Sequence, residues 1–211
     1  MTPGTAETEV DEASREESPL LTGGDASAYR ALAARLNYLA LDRPDVQYAA
    51  KEVSKYMSKP RDIDWMKLRR VAKYLIGKPR YVQLFCWQET PAEVVSFTDS
   101  DWAGDRVTRK STSGGVPMLG GHLIKSWSST QPVIALSSGE AELYALVKGA
   151  SQATGLMSML FDYGLELGAK VCIDSSAAFG IAHRVGAHRC AISVDLGEGQ
   201  QQGTQRHQGT H

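Results

Sequence analysis

The run VVSFTDSDWAGD, Val94–Asp105, opens with residues that suit a pleated, half-buried strand: Val94, Val95, Phe97 and Thr98 are β-branched or aromatic. It then reaches a carboxylate, Asp99, at the end of the strand. Two further β-rich runs follow, STSGGVPML (Ser111–Leu119) and HLIKSWSS (His122–Ser129), joined at Gly120-Gly121 as a hairpin. A helical pattern then spans about Gly139 to Tyr163, with Ala141, Tyr144, Ala145, Val147 and Leu156 among its apolar positions. KVCID (Lys170–Asp174) reads as a buried strand, and SSAAFGIAHR (Ser175–Arg184) as a helix capped by its first serine. The order β-β-β-α-β-α predicts a mixed sheet, three antiparallel strands plus a fourth parallel to the first, with helices packed on it: an α/β (α+β) domain over residues 92–185.

Upstream, residues 28–88 read as a small helical segment. Tyr29, Leu32, Leu36, Leu39 and Leu41 form an apolar stripe that Arg43-Pro44 ends. Asp45 sits where it would cap the next helix. Asp62-Ile63-Asp64 opens a third, with Trp65, Leu68, Val71, Leu75 and Ile76 inward and Lys67, Arg69, Arg70 and Lys73 outward. Residues 1–27 are acidic and poor in large apolar groups, and are expected to be a disordered leader. Residues 186–211 end in GEGQQQGTQRHQGTH, without one apolar side chain, and read as a disordered or aberrant tail.

Composition bounds the function. The 211 residues carry 23 Lys+Arg against 24 Asp+Glu, so binding by overall charge alone is excluded, although a local basic face is not. Three Cys without C-x-x-C spacing exclude a disulfide scaffold and a cysteine zinc site. No window is apolar enough to span a membrane, and the N-terminus lacks a signal-peptide pattern. The expectation is a soluble cytoplasmic or nuclear protein.

Chemistry is expected at three carboxylates. Asp99 and Asp174 end strands and Glu142 lies one turn into the long helix, so all three can meet at one rim of the sheet. An oxygen-only set suits Mg²⁺ or Mn²⁺. Each also has a plain structural reading: a turn for Asp99, the helix dipole for Glu142, an N-cap for Asp174.

TDSDWAGD (Thr98–Asp105), RKSTSGG (Arg109–Gly115), SWSSTQPVIALSSGEAELYAL (Ser126–Leu146) and IDSSAAFGI (Ile173–Ile181) closely resemble the ribonuclease H domain of copia-type retrotransposon Pol polyproteins. YRALAARLNYLALDRPDVQYAAKEVS (Tyr29–Ser54) and WMKLRRVAKYLIGKPR (Trp65–Arg80) resemble the end of the reverse transcriptase region that precedes it. The resemblance implies a ribonuclease H-like fold and a nuclease cutting RNA in RNA–DNA hybrids. It assigns Asp99, Glu142 (not Glu140) and Asp174 as catalytic ligands of a two-metal site. Ser100, Lys110, Ser111 and Ser113 become phosphate contacts, while Trp102 and Trp127 read as packing residues. It also implies a reverse transcriptase domain as a partner. The chain departs from the family in two respects. It has no Y-x-D-D polymerase signature, and the segment after Ala182 lacks the family's last strand or helix and its fourth acidic ligand. Asp195 and His188 are the only candidates there, and neither lies in a matching motif. Weak cleavage, no cleavage, or a decayed or domesticated nucleic-acid-binding module are therefore all consistent with the sequence.

Overall fold

The computed structural model describes residues 12–184 and 192–196. The chain divides between Leu84 and Phe85 into two units. The first is helical: α1 (Glu12–Glu17), α2 (Gly23–Leu39), a 3-10 turn (Pro44–Val46), α3 (Gln47–Ser54) and α4 (Asp62–Gly77). Its core takes only Tyr29 and Leu36 from the expected apolar stripe. Ala26, Tyr29, Ala33, Leu36 and Ala40 are buried, whereas Leu32, Leu39 and Leu41 are exposed. Small residues at this spacing let α2 approach its neighbours, and Tyr29 fills the centre, its hydroxyl donating to the Val53 carbonyl at 2.7 Å. On α4, Leu68 and Val71 are buried with Trp65 and Leu75 packed beside them, but Ile76 points out.

Two expectations are corrected in this unit. Order begins before residue 28: α1 lies in the expected disordered leader, and Arg15 from it reaches Asp64 of α4 with two hydrogen bonds, at 3.1 and 3.0 Å. Leu21 N–H donates to Pro60 O, and Asp62 N–H to Pro19 O, tying the next residues down. Asp45 caps no helix. It accepts from Arg43 at 2.8 and 2.7 Å and from the Tyr74 hydroxyl at 2.9 Å, and the Arg43 guanidinium holds its carboxyl below the usual range.

The second unit is a six-stranded sheet, β1 (Glu93–Asp101), β2 (Thr112–Leu119), β3 (His122–Leu123), β4 (Trp127–Thr130), β5 (Gly168–Ile173) and β6 (Ile192–Leu196), with α5 (Ser138–Asp162) and α6 (Ser176–Arg184). The order is β3-β2-β1-β5-β6, with β4 also on β2. β1 and β2 are antiparallel, and β1 runs parallel to β5. This is the ribonuclease H-like arrangement. The expected third strand is broken into β3 and β4, which share the outer edge of β2. α5 seats closely on β1: a Cβ on Gly149 would stand 2.2 Å from the Thr98 methyl, so only glycine fits there. The apolar core between sheet and helices joins Leu146, Val171, Ile173, Ala178, Ala182 and Val194.

The last strand is present, contrary to expectation. β6 pairs in parallel with β5, Val171 beside Val194 and Cys172 beside Asp195. Its Val194 is buried and joins the core at this edge of the sheet. The remainder of the expected tail, including His188, lies outside the described residues. Among the described residues no helix is long and apolar enough to cross a membrane.

Candidate metal centre

The parallel register of β1 and β5 brings the two aspartates together. Phe97 stands beside Cys172, so two residues further along each chain Asp99 and Asp174 lie side by side at the carboxyl ends of adjacent strands. Asp174 is free for this because Ser175, not Asp174, caps α6: its hydroxyl accepts the Ala178 N–H at 3.3 Å. Glu142 arrives from α5, whose start is fixed by Ser137. That hydroxyl accepts the Glu140 N–H at 3.2 Å, and Glu140 in turn accepts the Leu136 N–H at 2.8 Å. Glu140 thus closes its own loop, and Glu142 alone of the pair reaches the sheet rim.

One ligand oxygen from each of Asp99, Glu142 and Asp174 lies within 4.8 Å of the others. Asp99 and Asp174 are exposed and Glu142 is buried. Ser100 holds Glu142 Oε1 with its backbone N–H at 3.1 Å and its hydroxyl at 2.8 Å. Glu142 Oε2 is buried and has no hydrogen-bond partner. Burial pushes the Glu142 carboxyl above the ordinary glutamate range; the Ser100 bonds work against this, and Asp174 and Asp99 add to the rise. A buried carboxylate oxygen without a hydrogen-bond partner, on a residue clustered with two further carboxylates, suits a cation, and three oxygen donors fit a hard divalent ion.

The four residues expected at phosphates separate. Ser100 touches Glu142, as above. Ser111 and Ser113 are buried, and that expectation is corrected: both hydroxyls serve the protein's own backbone and side chains. Ser111 accepts the Ala103 N–H at 3.0 Å, and Ser113 accepts from Gln131 Nε2 at 2.8 Å. Lys110 lies in the β1–β2 connection, at the rim where β1 ends. Trp127 is buried against Gly115, and half-exposed Trp102 donates its indole N–H to Ala135 O at 3.1 Å. Asp195, the candidate for a fourth ligand, is on β6 and pairs with Lys170 at 2.5 Å. Among the described residues it is not part of the carboxylate cluster. Gln131 was not singled out from sequence at all. Its signal, a polar side chain between a strand and a helix cap, does not differ from that of any loop glutamine.

No protein-family model matches the chain. It is 38% identical over 144 residues, 68% of its length, to the retrovirus-related Pol polyprotein from transposon RE2 of Arabidopsis thaliana. It is 36% identical over 126 residues to the secreted RxLR effector protein 161 of Plasmopara viticola, a match covering 60% of this chain and 88% of that protein. The chain spans about a tenth of the length of the transposon polyproteins it matches. Among solved structures, LC11-RNase H1 in complex with an RNA/DNA hybrid is similar at a TM-score of 0.34 and 14% identity, over 49% of this chain and 83% of that one. That likeness adds nothing to what the strand order already gives.

Proposed function

Because the chain belongs to the family of copia-type retrotransposon Pol polyproteins, we propose that its α/β unit is a divalent-metal-dependent endonuclease that hydrolyses the RNA strand of RNA–DNA hybrids. The helical unit is then the end of the reverse transcriptase region. The observation that carries the reading is the buried, unpartnered Glu142 Oε2 beside Asp99 and Asp174.

Asp99, Glu142 Oε2 and Asp174 would hold the ion. A bound divalent cation would supply a Lewis acid for the phosphoryl oxygen and a water of lowered pKa. Ser100 keeps Glu142 Oε1 occupied, so that the second oxygen stays directed at the rim. The exposure of Asp99 and Asp174 leaves the rim open to a phosphodiester, and Lys110 stands where it can meet the backbone charge. Selection of a hybrid would come from groove shape and 2′-hydroxyl contacts, not from base edges.

The number of ligands sets the expected rate. Three carboxylates offset two divalent ions incompletely, which favours slow turnover and faster reaction with Mn²⁺ than with Mg²⁺. The test is cleavage of a hybrid with a labelled RNA strand, in either metal and in chelator. Asp99→Asn is expected to lower cleavage by about ten-thousandfold or more, the scale of loss when one member of a concerted set is removed. Cleavage that persists in chelator or in Asp99→Asn would overturn the reading. Hybrid binding without cleavage in either metal would favour the second reading, a non-catalytic binding module, which the lack of a fourth carboxylate among the described residues supports.

A further inference from the structure

Gln131 lies between β4 and α5 and is buried, 3% exposed. Its backbone N–H donates to Ser111 O at 2.8 Å. Its side-chain Nε2 donates twice, to Ser113 Oγ at 2.8 Å and to the Ala141 carbonyl at 2.9 Å. Ala141 immediately precedes Glu142. Ser113 stands opposite Ser100 in the β1–β2 pairing, and Ser100 is the residue that holds Glu142 Oε1. The contacts therefore close a ring: Gln131 to Ser113 on β2, across to Ser100 on β1, to Glu142 on α5, and back through Ala141 to Gln131.

The row extends one strand further. Ser113 also stands opposite Ser129 of β4, whose hydroxyl accepts from Lys148 of α5. Ala141 and Lys148 are seven residues apart and so fall on one face of α5. Three serines abreast on three strands thus meet α5 at neighbouring points, and Gln131 supplies the link nearest Glu142.

We propose that Gln131 is a positioning residue for the metal centre, its carboxamide locking the first turns of α5 to β2 so that Glu142 is held over Asp99 and Asp174. The metal half of this rests on the function proposed above; the hold on α5 does not. Buried donors that use both amide hydrogens on fixed acceptors set geometry more strictly than apolar packing does, because any shift of the helix leaves a buried group unpaired.

The experiment compares three full-length proteins: wild type, Gln131→Leu, which keeps the volume and loses the donors, and Leu160→Ala, a core change near the far end of α5 that lowers stability without touching the ring. Amide hydrogen exchange is read along α5, and Mn²⁺ binding is read by electron paramagnetic resonance. The expected result for Gln131→Leu is at least tenfold faster exchange over residues 142–148, with the C-terminal half of α5 unchanged, and Mn²⁺ affinity at least tenfold weaker. Leu160→Ala is expected to bind Mn²⁺ as wild type does. Unchanged or uniformly raised exchange along α5 in Gln131→Leu would overturn the proposal, as would wild-type Mn²⁺ affinity in that variant. If wild type itself binds no Mn²⁺ while the local exchange effect is present, the metal reading fails and Gln131's hold on α5 stands.

Discussion

Asp64 in the helical unit and Glu142 in the α/β unit are both buried carboxylates in the opening turns of a helix. Their surroundings are opposite. Both oxygens of Asp64 are engaged: Arg15 bonds each of them, and the Arg61 N–H adds a third donor at 2.9 Å. Arg15 is itself stacked over the Tyr56 ring, 3.7 Å from its centroid. Glu142 has donors on one oxygen only, and its nearest charged neighbours are two more carboxylates. Asp64 is satisfied by the fold and so holds the fold together. Glu142 is left unsatisfied by it, which a fold tolerates where something from outside completes the site.

The largest effect that can break this comparison is on the Asp64 side. Arg15→Ala leaves a fully buried carboxylate without its charge partner and is expected to cost about 3–5 kcal/mol, the usual penalty for breaking a buried pair from one side. Denaturant unfolding followed by a helical-unit probe such as Trp65 would measure it. A loss below 1 kcal/mol would mean that Asp64 is not the structural carboxylate described. Exchange in the α/β unit should not change, and Asp99, Glu142 and Asp174 should behave as in wild type.

How far the two carboxylates were legible beforehand differs for the same reason. Asp99, Glu142 and Asp174 could be placed from strand ends and helix spacing, since a carboxylate with no local partner stands out against β-branched runs. Asp64 looked like an ordinary residue of a helix start, because its partner, Arg15, lies 49 positions away in a segment too polar to predict order. Likewise the α2 core runs through Ala26, Ala33 and Ala40, which weigh little in a hydrophobic pattern, while Leu32, Leu39 and Leu41 face outward. β6 was missed although Ile192, Val194 and Leu196 alternate with Ser193 and Asp195, because the run is only five residues long and stands just before a stretch without one apolar side chain; its pairing with β5 is what makes it a strand. The roles of Ser111, Ser113 and Gln131 were out of reach for another reason: a hydroxyl or amide binds ligand or backbone equally well, and only tertiary position chooses.

The next effect sharpens the contrast through pH. The raised Glu142 pKa means that the folded state holds this proton more tightly than the unfolded chain. Stability from this group is therefore present below the ordinary glutamate value and is lost as pH rises through the raised one. Asp45 in the helical unit is lowered, chiefly by its hydrogen bonds from Arg43, so its contribution is present above the ordinary aspartate value and is lost as pH falls. The two units should thus respond to pH with opposite slopes from these groups. Glu142→Gln is expected to stabilise the metal-free α/β unit at neutral pH by about 0.5–2 kcal/mol, the usual gain from a single stabilising substitution, and to remove that unit's falling slope. Thermal unfolding between pH 4 and 8, without metal, checks it. A Gln variant less stable than wild type at pH 7 would mean that Glu142 is satisfied after all.

The smallest expected effect concerns the backbone. In the helical unit the one positive φ among the described residues is at a glycine, Gly23 at 54°. In the α/β unit two non-glycine residues adopt it, Ala103 at 53° and Arg109 at 55°, both in the β1–β2 connection beside the carboxylate rim. Ser111 holds the first of these, its hydroxyl accepting the Ala103 N–H, and the Trp102 indole anchors the chain just before it. A left-handed alanine costs about 1–2 kcal/mol, and replacing it by glycine gives back about 0.4–1 kcal/mol through the freer unfolded chain. Ala103→Gly is therefore expected to stabilise by roughly 0.5 kcal/mol, the small difference between those two terms. The shift in denaturant midpoint, with its slope unchanged, is the measurement. If Ala103→Gly gains stability while hybrid cleavage falls, the strained connection holds the rim in shape at the expense of the fold, as the unpaired oxygen of Glu142 does. A loss of stability would instead show that the Ala103 methyl packs, and that this loop is held as firmly as the Arg15–Asp64 pair.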